Sequence, residues 1–148
     1  MRGVSFVNPT AEKFGYPDSV VKSFDHWHVL VRPAQPTIGS LVLVCSDEAS
    51  HFGGISTAAS TELQHACAEI ERVLGELFQF DKINYLMLMM VDPDVHFHVL
   101  PRYESAREYA GATFTDGTWP GPPDITAANE FSAEAKQALI TDLRARFA

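Results

Sequence analysis

Positive charge is scarce in this chain of 148 residues: 11 Lys and Arg stand against 19 Asp and Glu, a formal net charge of -8. That balance argues against nonspecific attraction to nucleic acid or to anionic membranes, so any anionic ligand must be met by local cations. Cysteine is nearly missing as well. Cys45 and Cys67 resemble no disulfide framework and read as buried, reduced thiols of a cytoplasmic protein. The opening stretch MRGVSFVNPTAEKFGYPDS carries no long apolar run, so neither a signal peptide nor a membrane span is expected. Internal repeats and low-complexity segments are also lacking. What is present is a globular composition, 46% hydrophobic and 11% aromatic, that fits one domain over residues 1–148.

SVVKSF and HWHVLVRP read as strands, the second closed by Pro33; PAQPTIGS is a turn and SLVLVCS the next strand. After the loop HFGGIS, with Ser56 or Thr57 as cap, Leu63, Cys67, Ile70, Val73 or Leu74, and Leu77 recur at helical spacing. That spacing predicts an amphipathic helix of about four to five turns. KINYLMLMM follows as an apolar strand, and DVHFHVLPRY as another after the short connection VDP. Short linkers between neighbouring strands permit only antiparallel hairpins, so the fold class is α+β, with a mostly antiparallel sheet of about five strands and two main helices. Residues 104–148 form a tail: a Gly- and Pro-rich stretch, then a helix capped near Ser132 with Leu139, Leu143 and Phe147 on one face.

The segment VDPDVHFHVLPRY, residues 91–103, holds the chemistry. A strand alternates its faces, so Asp94, His96 and His98 share one side while Val95, Phe97 and Val99 take the other. A neutral imidazole is a competent nucleophile, and an unperturbed pKa of about 6.5 leaves much of it neutral at pH 7. Two histidines on one face allow one to attack while its neighbour donates a hydrogen bond or a proton. Three uses stand open on the residues alone: a solvated strand face, a catalytic pair, or a metal site built from Asp94, His96 and His98.

DVHFHVLPRY resembles the signature of the histidine triad family of nucleotide hydrolases and transferases: His, apolar, His, apolar, His, apolar, apolar, often with Pro and Arg next. Asp94 stands at the first histidine position, His96 at the second and His98 at the third. Upstream, VLVRPAQPTIGSLVLVC is similar to the family's strand, turn and strand, with Gly39 at its glycine and Ser40 where histidine is usual. HFGGISTAASTELQ extends the resemblance, which covers residues from about 20 to 103. The tail is loosely similar to the fragile-histidine-triad branch. MMVDP stands where a Gly-Gln phosphate-binding loop would be, placing Met89 and Met90 near the site.

The resemblance implies a histidine triad fold, a homodimer, and hydrolysis or transfer at the α-phosphorus of a nucleotide conjugate: a dinucleoside polyphosphate, a nucleoside phosphoramidate or an acyl-adenylate. His96 would be the nucleophile forming a nucleotidyl-histidine. His98 would stabilise charge on the phosphate, and Asp94 would support His96. Arg32, where a ribose-holding residue is usual, would grip phosphate or carboxylate; with Ser40, Arg102 and Trp119 it makes up the substrate-binding set. No metal or other cofactor is required, though magnesium would travel with a polyphosphate. The alternatives are a nucleotide-binding protein that has lost catalysis and a metal-dependent hydrolase.

Arg102 is equally well read as a structural ion-pair partner, and Trp119 as a packing anchor for the tail. His26 and His28 face together around a buried Trp27 on a strand expected near the sheet edge, and read as surface histidines. His51, in a loop, and His65, on the helix, read the same way. The run YLMLMM is core first.

Overall fold

The computed structural model describes residues 8–148. Five strands form one antiparallel sheet: β1 (Val20–Ser23), β2 (Trp27–Val31), β3 (Leu41–Cys45), β4 (Lys82–Leu86) and β5 (His96–Arg102), in the order β1-β2-β3-β5-β4. β5 pairs antiparallel with β3 on one side and β4 on the other. β3 and β4 therefore run the same way, a relation no hairpin can supply. The helix α2 (Thr57–Phe78) provides the crossover between them. It leaves a gap one strand wide, which β5 fills.

α2 has 22 residues, about six turns, longer than its apolar spacing predicts. The Ser56 side chain caps its start by accepting from the Ala59 N–H, and Gln79 ends it in the left-handed region at φ 49°. Before the sheet lies a five-residue helix, α1 (Pro9–Lys13), and after it the hairpin β6 (Arg107–Tyr109) and β7 (Ala112–Phe114). The last helix, α3 (Ala133–Phe147), is capped by Ser132, whose side chain accepts from the Ala135 N–H, and buries Leu139, Ile140, Leu143 and Phe147.

Alternation along the strands divides the core. Trp27, Val29, Leu43, Val95 and Val99 face α2 and α3 in the main cluster, while Leu30, Val42 and Val44 meet Ala11 and Phe14 of the α1 region. The Trp27 indole N–H donates to the Ala59 carbonyl at 2.9 Å, fixing the sheet against the first turn of α2.

Several expectations change. β2 lies inside the sheet, because β1 takes the edge beyond it. The strand expected to run through Met90 stops at Leu86, opposite His98, and Met89 then turns at φ 54°, outside the extended range that a ladder needs. α1 and the β6–β7 hairpin are too short to carry a period and went unpredicted.

The tail is fastened by Arg102. Its guanidinium, almost fully buried, donates to the Asp116 carboxylate (2.7 and 3.1 Å), to the Asn84 side chain (2.8 Å), to Thr118 Oγ1 (3.1 Å) and to the Gly121 carbonyl (2.9 Å). Removing one member of a buried, hydrogen-bonded ion pair strands the other charge, at roughly 3–5 kcal/mol. Arg102→Ala should therefore lower the unfolding free energy by about that amount in urea titration, and an effect below about 1 kcal/mol would show that the tail is held by other contacts.

Candidate active site

His96 and His98 stand on the β5 face opposite α2 and α3, their rings 5.3 Å apart and nearly perpendicular at 81°. Phe14, just after α1, packs against both, at 6.0 Å from His96 and 5.7 Å from His98. They open on a cavity of about 340 Å³ lined also by Lys13, Arg32, Asp92, Ile125 and the loop Leu88–Val91. That loop is markedly apolar for its exposure: Met90 is 86% and Val91 82% accessible. In so acidic a chain the lining is unusual, for it holds two cations and one carboxylate.

Hydrogen bonds set the two rings differently. The Nδ1 of His96 lies 2.7 Å from the carbonyl oxygen of Asp94. A carbonyl only accepts, so His96 carries hydrogen on Nδ1 and, when neutral, keeps a bare lone pair on Nε2. His98 has the opposite neighbour: Arg32 Nε donates to its Nδ1 at 3.3 Å. Burial, reinforced by the Arg32 charge, pushes the His98 pKa down to about 4. His98 is therefore neutral at pH 7 with its hydrogen on Nε2.

Arg32 is itself fixed by donating through Nη1 to the Ala34 carbonyl at 2.9 Å and through Nη2 to the Ile125 carbonyl at 3.0 Å. Among the described residues it is the lining cation without a carboxylate partner, since Lys13 Nζ pairs with Asp92 at 2.9 Å.

The remaining expected site residues lie elsewhere. Asp94 does not join the two histidines on the cavity wall; its carboxylate turns to α1 and accepts from Thr10 Oγ1 at 3.0 Å and the Thr10 N–H at 3.3 Å. It supports His96 through its carbonyl, not its side chain. Ser40 is fully buried in the β2–β3 turn, where its hydroxyl donates to the Thr37 carbonyl at 2.7 Å. Arg102 and Trp119 border a separate groove of about 860 Å³ along β4, with Lys82, Asn84 and Pro120–Pro123. That groove holds no nucleophile–base pair, so the histidine cavity is the better seat for chemistry. Among the described residues no three His, Cys, Asp or Glu side chains converge to hold a metal, because Asp94 faces Thr10.

His26 and His28 part company: His26 Nδ1 meets Asp47 at 3.0 Å, while His28 Nδ1 meets Ser23 Oγ at 2.8 Å. His51 and His65 are exposed. Sequence reasoning missed Phe14, Lys13 and Ile125 as cavity walls; the aromatic in AEKFGY was visible but had no element to place it.

No protein-family model matches the chain. Over 104 residues it is 29% identical to the protein transport protein SEC24 of Yarrowia lipolytica, a stretch that makes up 70% of this chain and only a tenth of that protein. Solved structures agree in fold. A histidine triad protein from Bradyrhizobium japonicum superposes with a TM-score of 0.76 at 19% identity over 97% of this chain and 98% of its own. Another from Sinorhizobium meliloti gives 0.74 at 16% identity over 95% and 96%. The diadenosine triphosphate hydrolase of Plasmodium falciparum gives 0.58 at 11% over 88% and 74%. The chain has the histidine triad fold.

The His98 shift fixes a pH dependence. Its folded pKa of about 4 lies below the ordinary 6.5, so the unfolded chain takes up this proton first as pH falls. The stability that neutral His98 contributes is whole above pH 6.5 and drains away between 6.5 and 4. His98→Gln should flatten urea-derived stability against pH across that window; a curve parallel to wild type would assign the loss to other groups.

Proposed function

We propose that this chain is a nucleotidyl hydrolase or transferase working through a covalent intermediate on His96. The observation that carries it is the pairing of a bare Nε2 on His96 with an Nε2–H on His98, side by side on a cavity wall. The fold it shares with histidine triad proteins, one neighbour being a diadenosine triphosphate hydrolase, supports the same reading.

In the proposed reaction the His96 Nε2 lone pair attacks the α-phosphorus, and the bond to the leaving group breaks with its electron pair going to that group. The resulting nucleotidyl-imidazolium keeps Nδ1–H on the Asp94 carbonyl, which steadies its positive charge. The His98 Nε2–H and the Arg32 guanidinium are placed to stabilise charge on the phosphoryl oxygens. Water then attacks phosphorus, its proton passes to solvent or to the departed group, and the P–N bond breaks to restore neutral His96. The sum is conjugate plus water giving nucleoside monophosphate plus protonated leaving group. Asp94 acts here through its main chain, while Trp119, Ser40 and Arg102 stand outside the histidine cavity.

The cavity also discriminates among conjugates. With Lys13 neutralised by Asp92, Arg32 is the cation left for a ligand among the described residues of the lining, and Leu88–Val91 offer apolar contact. This favours a phosphorus centre with a single negative charge and an apolar leaving group, as in a phosphoramidate or an acyl-adenylate, over a polyanionic dinucleoside polyphosphate.

Release of nucleoside monophosphate should be seen with the singly charged conjugates, at a kcat/KM roughly tenfold or more above that for a dinucleoside triphosphate, a gap of about 1.4 kcal/mol. His96→Ala should abolish release while leaving the thermal transition in place. Tight nucleotide binding without release from any conjugate would instead make this a binding protein.

A further inference from the structure

We propose that Arg32 is a positioning residue for His98: its Nε–H, 3.3 Å from Nδ1, locks that imidazole as the tautomer with hydrogen on Nε2. The tautomer assignment is independent of any reaction, while its catalytic consequence rests on the nucleotidyl-transfer reading above.

The geometry leaves His98 little choice. A guanidinium has five donors, no acceptor, and stays protonated throughout the working range. Any ring nitrogen facing it must use a lone pair. Arg32 cannot readily swing aside, because three points hold the plane: Nε on His98, Nη1 on the Ala34 carbonyl and Nη2 on the Ile125 carbonyl. Two of those anchors lie far apart in the chain, one in the turn after β2 and one in the tail. The remaining donors have no partner among the described residues, so Arg32 holds His98 and keeps N–H groups for an anion.

The groups facing His98 from the surrounding elements reinforce this. Arg32 just after β2, His96 on β5 and Lys13 on α1 all oppose a second proton on His98, and Asp92 in the loop before β5 alone favours it. Asp92 is engaged by Lys13. Protonating His98 would place a cation on Nδ1 against the guanidinium, breaking the hydrogen bond from Arg32 that orients the ring.

The result is a matched pair of opposite tautomers from opposite neighbours. Asp94 offers a carbonyl, so His96 must donate from Nδ1; Arg32 offers a donor, so His98 must accept there. One ring then presents a lone pair and the other a hydrogen to the same cavity, with no proton needing to move between them first.

The test is two-bond 1H–15N correlation spectroscopy of the histidine rings in the ligand-free protein, followed against pH, with the His98 signals identified by their loss in His98→Gln. Wild type should show His98 with hydrogen on Nε2 and no titration down to about pH 5. Arg32→Met, of similar length but without a donor, should mix the tautomers and raise the His98 midpoint by roughly one unit or more, still short of 6.5 because the ring stays buried. Arg32→Lys, which can donate again, should recover part of the wild-type pattern. Hydrogen on Nδ1 in wild type, or an Arg32→Met spectrum like wild type, would overturn the proposal. If Arg32→Met does not fold, the wild-type tautomer and Arg32→Lys decide the matter. Where turnover is measurable, Arg32→Met should also move the acidic limb of the kcat profile upward; the expected spectra without turnover of any conjugate would sink the catalytic reading and leave the positioning role standing.

Discussion

β5 is bounded on both sides by strands that run parallel to each other and antiparallel to it. That constraint, set by the 22-residue crossover of α2, fixes the central place of the histidine strand and through it the site. Pairing with β3 over residues 96–99 and with β4 over residues 98–102 holds its side chains in register. His98 sits between Val42 and Leu86, and His96 beside Val44, each at a determined depth beneath Phe14. On an edge strand the same two histidines would be free to change rotamer and partner.

The electrostatics invert the protein's overall sign. A chain of net charge -8 gathers Arg32, Lys13 and two histidines at one cavity and admits a single lining carboxylate, which it pairs away. Burying Arg32 costs hydration, and the compensation comes from carbonyls and a ring nitrogen in place of counter-ions. The guanidinium thus stays a net positive charge in a poorly solvated place, where its field is screened less than that of a surface lysine.

Much of this could be read in the sequence, and the reasons are physical. Alternation at residues 94–99 separated a core face from a polar one, linker lengths dictated antiparallel pairing, and the Ser56-Thr57 pair and Ser132 marked helix starts that the structure has, with Ser56 as the cap of the first. The losses fall where no period exists. α1 has five residues and the β6–β7 strands three each, below what any repeat can report. Asp94 was legible as a polar residue on the histidine face, but not as Thr10's partner, because that bond joins a loop to an element with no signature of its own. Arg102 was placed beside the site by its position in the chain; only the tail's path shows its five bonds spent on Asp116, Asn84, Thr118 and Gly121.

The cavity walls come from chain segments far from one another. Thr10 meets Asp94 across 84 positions, and Arg32 meets Ile125 across 93. Loop closure on that scale is unfavourable until most of the sheet and its helices already hold the ends near each other. No excised fragment, and no hairpin with its turn, can contain the site, even though both histidines lie within three residues. Competence at this cavity is thus a property of the whole described chain, won or lost cooperatively with it, and a lesion in the tail reaches the histidines as directly as one in the strand that bears them.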